Sequence, residues 1–367
     1  MGSSAVVLLA LFIVVRVTAS PLFVVTDLGS LGGSQSTAFG VNNQGTATGA
    51  ARSSSGADNA FISSGGSMSA LTATGATSSQ ANGINNSGIV AGTIYTMSGA
   101  RATLWTGGLF SNLGTLGGTD SYALAINDAG SVAGNASLSS GDAHAFLARN
   151  GQLTDLGTLA NGSWSSAYSV NNSNQVAGYS STANGGFHAF RWDDATGMMD
   201  IGTLGGNSYG MGMNDFGDVV GSSASPEGFL HAFVWTGGTM QDLGTLGGSS
   251  SSAYGINSSG DIVGCSYIPE AQNSHAFLWK GGGLLDLNSL IPKDSGWELN
   301  EAYAINENGQ IVGDGTYRGQ TRAFRLDPQL IAVAAGIFTD VASVPESSTL
   351  SMLALGALLI AFRKFRF

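Results

Sequence analysis

A chain of 367 residues with 56 glycines and only 10% charged residues departs from globular averages of about 7% glycine and about 25% charge. Its 43% hydrophobic content and six prolines exclude a charged disordered segment and a collagen-like or proline-rich rod, and glycine's cost of roughly 1 kcal/mol in a helix disfavours long helices. The net charge of -11 argues against nucleic acid as a partner, and the single Cys265 excludes an internal disulfide and a multi-cysteine zinc site. What remains is β-structure with many tight turns.

At the N-terminus an unbroken apolar run from Ala5 to Val15 precedes Val17-Thr18-Ala19. The run is too short to cross ~30 Å of hydrocarbon, and its flank is a small-x-small cleavage pattern. Residues 1–19 are read as a secretory signal peptide, with an uncleaved anchor as the alternative because no basic residue precedes the run.

The chain then repeats. An (I/V/M)-N-x-x-G element, with Asn174 in the glycine position of one copy, places asparagine at Asn42, Asn85, Asn127, Asn171, Asn214, Asn257 and Asn306, with gaps of 43, 42, 44, 43, 43 and 49 residues. A second element, His-Ala-Phe-Leu-Trp at its fullest, places alanine at Ala60, Ala102, Ala145, Ala189, Ala232, Ala276 and Ala323. A third, Asp-Leu-Gly-Thr-Leu-Gly-Gly, begins at Asp27, Asn112, Asp155, Asp200, Asp242 and Asp286. Seven copies of about 43 residues match the period of four-stranded propeller blades.

Within each copy, strand A leads into the asparagine. Residues two and four before it are small, as Gly40 and Ala38 or Gly255 and Ala253, and those between are mostly large. Such alternation suits the strand nearest the axis, where blades converge. The asparagine and the glycine three later make a tight hairpin into strand B; strand C carries the His-Ala-Phe text and strand D the Asp-Leu-Gly text. The first strand-D text, Val24–Leu28, precedes every blade, and the last strand C, Thr321–Leu326, has none after it. Pairing these two would remove both open edges. The expected fold is an all-β, seven-bladed β-propeller over residues 20–326, closed by the N-terminal strand in the last blade. The repeats resemble the HAF family of extracellular bacterial repeats, on the text at His144-Ala145-Phe146, His188-Ala189-Phe190, His231-Ala232-Phe233 and His275-Ala276-Phe277. The resemblance implies location outside the cell and carries no activity.

Residues 327–343 are read as a spacer. Beyond it stand Val344-Pro345-Glu346, a 13-residue apolar stretch from Leu350 to Phe362, and the basic Arg363, Lys364 and Arg366. The stretch would form a short transmembrane helix with its basic end on the cytoplasmic side. Residues 344–367 resemble the PEP-CTERM sorting signal of Gram-negative bacteria that make exopolysaccharide, although Ser347 stands where that family has a second proline. The resemblance implies recognition of Val344, Pro345, Glu346, Arg363, Lys364 and Arg366 by a membrane-embedded exosortase. It further implies transport across the inner membrane, transient anchoring through the helix, and a final place at the cell surface or in the exopolysaccharide or biofilm matrix. A plain tail anchor is the alternative.

No catalytic constellation, cofactor fingerprint or metal-ligand spacing emerges from the sequence, so catalytic, cofactor and metal residues are all unassigned. The four repeated histidines lie a blade apart, too far to share one metal shell. Trp105, Trp192, Trp235 and Trp279 share one strand-C position and read as core. An Asp-rich turn such as Asn214–Asp218 is a turn first and a loose calcium site only as an alternative. Candidate ligand contacts are sought where the repeats differ, on the face formed by the D-to-A connections and the B-to-C loops: Trp164 and Trp297 in the former, and Tyr95, Tyr179, Tyr267 and Tyr317, with Asp142, Glu227 and Glu270, in the latter. Aromatics with scattered carboxylates suit a neutral or weakly charged sugar. The functional expectation is a non-catalytic surface propeller that binds glycan or protein. A carbohydrate-active enzyme using a pair such as Asp294 and Glu298 is the alternative.

Overall fold

The computed structural model describes residues 22–269 and 273–329. The expected signal peptide, most of the expected spacer, the expected sorting residues Val344, Pro345, Glu346, Arg363, Lys364 and Arg366, the expected C-terminal helix and Glu270 lie outside the described residues. Among the described residues, no helix is long and apolar enough to cross a membrane.

Seven four-stranded antiparallel sheets form the ring, each in the order A-B-C-D from the axis outward. Blade 4 is representative, with strands Ser165–Val170, Val176–Ser181, Phe187–Asp193 and Gly197–Asp200. Blade 7 combines Trp297–Ile305, Ile311–Tyr317 and Gln320–Pro328 with the N-terminal strand Phe23–Asp27 as its outer strand. That strand pairs antiparallel from Phe23↔Pro328 to Asp27↔Phe324, closing the ring as the strand permutation implies. The pairing carries the last strand C to Pro328, two residues past the expected boundary at 326.

Strand A does line the axis, but not as a regular pleat. In every blade its register to strand B shifts between the fourth and second residues before the asparagine, as between Ala38 and Gly40 or Ala253 and Gly255. The residue between them is an unpaired bulge position. The small residues face the neighbouring blade: a Cβ on Gly212 would lie 2.6 Å from Tyr254 O, and one on Gly40 3.2 Å from Gly83 Cα. The alternation read from the sequence therefore has the expected small face with one extra residue inserted into the ladder.

The bulge also explains the glycine that recurs in strand B. It drives a strand-A carbonyl against Gly49, Gly92, Gly134, Gly178, Gly221, Gly264 and Gly313, where a Cβ would sit 1.8–2.0 Å from that oxygen. On five of these the strand-C phenylalanine ring also closes down, its edge 2.8–3.0 Å from the same point above Gly49, Gly134, Gly178, Gly221 and Gly264. Phe61, Phe146, Phe190, Phe233, Phe277 and Phe324 are all fully buried. Each fills the core between two blades, and burying one contributes about 1.5–3 kcal/mol.

Two hydrogen-bond systems tie blade to blade. The backbone N–H of the strand-C alanine donates to a serine hydroxyl on strand A of the next blade: Ala60 to Ser79, Ala102 to Ser121, Ala145 to Ser165, Ala189 to Ser208, Ala232 to Ser251 and, across the closure, Ala323 to Ser36, at 2.8–3.0 Å. At the hairpin end each repeated asparagine, 2–6% exposed, uses both ends of its amide. Its Oδ1 accepts from backbone N–H groups in its own turn, for Asn42 those of Gln44 and Thr46. Its Nδ2 donates to the carbonyl of the next asparagine: Asn42 to Asn85, then Asn127, Asn171, Asn214, Asn257, Asn306 and back to Asn42, at 2.8–3.4 Å.

Candidate functional site

The repeated histidines are accounted for within their own blades. Nδ1 of His144, His188, His231 and His275 lies 2.7–2.9 Å from a carboxylate oxygen of Asp155, Asp200, Asp242 and Asp286 on strand D. The same aspartates accept a backbone N–H two residues on, as Asp200 from Gly202 and Asp242 from Gly244. Each pair thus pins strand C to the turn leaving strand D. In blade 7 Arg322 replaces histidine and stands 3.7 Å from Asp27 of the N-terminal strand. Of the repeated tryptophans, Trp105 and Trp192 are buried and Trp235 and Trp279 pack against inter-blade clusters, as core positions should.

Strand A encloses an axial cavity of about 550 Å³ lined by all seven blades. Phe39, Leu124, Tyr168, Met211, Tyr254 and Tyr303 supply its apolar wall at the bulge position, with Asn82 at the seventh. Phe39 meets Tyr303 edge-on and Tyr303 stacks on Tyr254, with ring centroids 5.2 Å apart in both pairs. The hairpin-side mouth, about 240 Å³, is polar and rimmed by the asparagine ring and the residues after it. There Asp215 accepts from Asn172 N and Nδ2, and Asp218 from Asn214 Nδ2. The carboxylates of the Asn214–Asp218 turn are thus engaged within the protein.

The candidate ligand residues fall into separate groups on the opposite face. Trp164 packs on Tyr179 and Phe187, with centroids at 5.1 and 5.9 Å; Tyr179 stacks on Tyr168 and meets Tyr209 edge-on. Burial pushes the Tyr179 phenol well above the usual tyrosine range, with the Tyr168 hydrogen bond adding. Trp297 stacks on Tyr317 at 4.7 Å and 10°, and the Arg318 guanidinium lies over the Tyr317 ring at 5.0 Å. Tyr95 meets Tyr122 at 6.5 Å, and Tyr267 is exposed without a ring partner among the described residues. The structure corrects the placement of several. Tyr95, Tyr179, Tyr267 and Tyr317 belong to strand B rather than the loop after it, and Trp297 begins strand A of blade 7. Strand pairing runs further out than the repeat text suggests, because aromatic residues favour a pleated, half-buried surface.

The carboxylates are distributed differently from expectation. Asp294 and Glu298 are both exposed, with Glu298 3.9 Å from His275 Nε2. Another pair arises from Glu301 and Asp314, direct partners across strands A and B of blade 7. Burial raises the Asp314 carboxyl to about 6, the Glu301 charge adds, and a 3.0 Å hydrogen bond from Thr37 Oγ1 of blade 1 partly offsets both. Burial also lifts the neighbouring Tyr303 and Tyr254 phenols far above their usual value, and the Cys265 thiol to about 11. Sequence reading missed this pair because its members lie thirteen residues apart on two strands, joined only by register.

Comparison with family models finds no match, and comparison with curated proteins finds none. Among solved structures, the β-propeller domain of the Trilobed protease from Pyrococcus furiosus is 8% identical with a TM-score of 0.56, covering 80% of this chain and 96% of that one. TolB from Acinetobacter baumannii is 13% identical at a TM-score of 0.44, and a gluconolactonase from Xanthomonas campestris 11% identical at 0.39. Coverage is 64% of this chain for TolB and 86% for the gluconolactonase; the chain spans 61% of TolB and 93% of the gluconolactonase. At 8% identity the likeness to the protease's propeller domain concerns the fold alone: the chain has the fold of a seven-bladed, closed β-propeller.

Proposed function

We propose that this protein is a non-catalytic, secreted or cell-surface propeller that binds glycan through its loop face and is sorted to the envelope by an exosortase-type system. The observation that carries the binding reading is the grouping of Trp164 with Tyr179 and of Trp297 with Tyr317 on one face of a chain whose repeats otherwise match. Half-exposed aromatic rings offer flat apolar area with polar tips, which suits the C–H face and hydroxyls of a sugar. The sorting reading rests on the resemblance of residues 344–367 to the PEP-CTERM signal, and the matrix is its consequence. A glycan array on the full chain, with reducing ends monitored in parallel, tests the reading. Binding without turnover, weakened by Trp164→Ala or Trp297→Ala, is expected; binding that survives both replacements would sink the assignment to this face. Replacing Pro345 and Glu346 should leave an unprocessed product of higher mass at the membrane, and unchanged mass and location would remove the sorting assignment.

A second reading, a carbohydrate-active enzyme, is favoured by the Glu301–Asp314 pair. Two neighbouring carboxyls, one of which holds its proton to about pH 6, have the division of roles that general acid chemistry uses. Reducing ends released by the wild type and abolished in Asp314→Asn would establish it.

A further inference from the structure

Blade 4 carries a cleft beside its histidine–aspartate pair. The cleft, of about 760 Å³, opens over strands C and D, between the connection that enters the blade at Leu159–Ala160 and the one that leaves it at Thr203–Asn207. Its volume is in the range of ordinary small-ligand sites, roughly 300–1,000 Å³. The space exists because the blade's B-to-C loop, Thr182–Gly186, is built from small residues; the same stretch in blade 5 carries Pro226, Glu227 and Phe229. The far wall is fixed. Gly205 is pressed against blade 5, where a Cβ would lie 2.8 Å from Pro226 N, and a Cβ on Gly206 would lie 3.0 Å from that of Ala224.

We infer that this cleft seats one ring of a neutral, hydroxyl-rich polysaccharide. The inference rests on the glycan-binding reading and gives it an address. His188 lines the cleft, and its Nδ1 is held 2.7 Å from Asp200 Oδ2. A carboxylate only accepts, so in the neutral ring Nδ1 carries the proton and Nε2 is an acceptor. Nε2 has no hydrogen-bond partner among the described residues. The Asn184 amide is likewise without a hydrogen-bond partner there, and Asn207 spends its Oδ1 on Phe187 N, leaving Nδ2. An acceptor beside amide donors matches hydroxyl groups, which do both. Leu159 and Met198 supply apolar contact for a ring's C–H face. No lysine or arginine lines the cleft, and the chain carries a net charge of -11, so uronate, sulfate or phosphate groups would meet no counter-charge. Along strand C, Phe187 points away from His188 by the two-residue period of a strand, into the Trp164–Tyr179–Tyr209 cluster. That cluster braces the strand from the other face.

The test titrates the full chain with an array of neutral oligosaccharides of glucose, galactose and mannose and with uronate-containing counterparts. Ala183 is exposed, so Ala183→Trp fills the cleft without disturbing the core and is expected to weaken neutral-sugar binding at least tenfold. His188→Ala, which removes one acceptor, should weaken it about fivefold, with melting temperature read alongside to exclude unfolding. Full affinity in Ala183→Trp together with loss in Trp164→Ala would overturn the cleft and leave the glycan reading standing. No binding by the wild type would remove the glycan reading itself, and preference for the uronate series would overturn the neutral class.

Discussion

The two ends of the ring are built on opposite plans. At the hairpin end every blade contributes the same asparagine, and seven side-chain hydrogen bonds pass from blade to blade until they return to Asn42. A second ring beneath it runs from backbone N–H to the next blade's side chain, as Asn43 to Asn86 and Glu307 to Asn43, and is broken where Asp215 meets the short Ser258. At the loop end the strand-C alanine still bonds to the next blade, but the surface residues do not repeat around all seven blades. Aromatic groups, an acidic pair and a cleft each belong to one or two blades. Identical residues are spent where each blade must grip the next, and diversity is permitted where it need not. Function is therefore sought at the uneven end, and perturbations should separate the two ends by size.

The largest effect should come from breaking closure. Deleting Phe23–Asp27 removes the outer strand of blade 7, withdraws Phe23 from its core cluster and exposes the edge of Gln320–Pro328. Loss of a single cooperative melting transition and concentration-dependent association are expected, since an unpaired edge recruits other strands. A truncated chain that melts like the parent would show that the ring holds without its clasp.

Next in size is the asparagine ring. Asn171→Ala removes two acceptor contacts, from Ser173 N and Gln175 N, and donation to Asn214 O from a side chain that is 4% exposed. The orphaned groups should cost about 3 kcal/mol. Asn184→Ala at the loop end, exposed and unbonded, should stay within about 0.5 kcal/mol. Chemical denaturation of the two variants measures the contrast; equal losses would erase the distinction between the ends.

Much of the ring was legible in the sequence because its signals are local and repeated. The asparagine hairpin, the strand-C text and the misplaced first strand D together specify blade number and closure. What each repeated residue does for its neighbour was not legible. Asn42 reads as a turn residue, and only the fold brings its Nδ2 to a carbonyl 43 residues ahead. Gly221 reads as a strand ending, and only the bulge in strand A makes it obligatory. The candidate site was the least legible. Its cleft is made by what is small, Ala183, Gly205 and Gly206, and absence of bulk leaves no motif.

The acidic pair offers a pH test on the loop side. Asp314 holds its proton to about 6 when folded, against about 3.9 in an unfolded chain. Between these values the folded state binds more protons, so stability should fall as pH rises from about 4 to about 6 and stay low above. Lowering pH from 7 to 5 should therefore contribute about 1 kcal/mol from this group. Asp314→Asn keeps an acceptor for Thr37 and should add about 2 kcal/mol at pH 7 while flattening the profile. Thermal melts across pH 4 to 7 decide it, and a variant with the parent's slope would assign the dependence elsewhere.

A smaller effect is expected at the seam's surface. Arg322 occupies the position where four other blades place histidine, and its guanidinium reaches Asp27 only at 3.7 Å, against 2.7–2.9 Å for the histidine pairs. Asp27 does not depend on it, because Oδ1 still accepts from Gly29 N. The ring's closure is held instead by five register pairs of the N-terminal strand and by the bond from Ala323 N in blade 7 to Ser36 Oγ in blade 1. Arg322→Ala should accordingly cost no more than about 0.5–1 kcal/mol, with the loss shrinking further in high salt. A loss above about 2 kcal/mol that persists in salt would mean the ring is clasped by this ion pair rather than by backbone pairing and the buried serine.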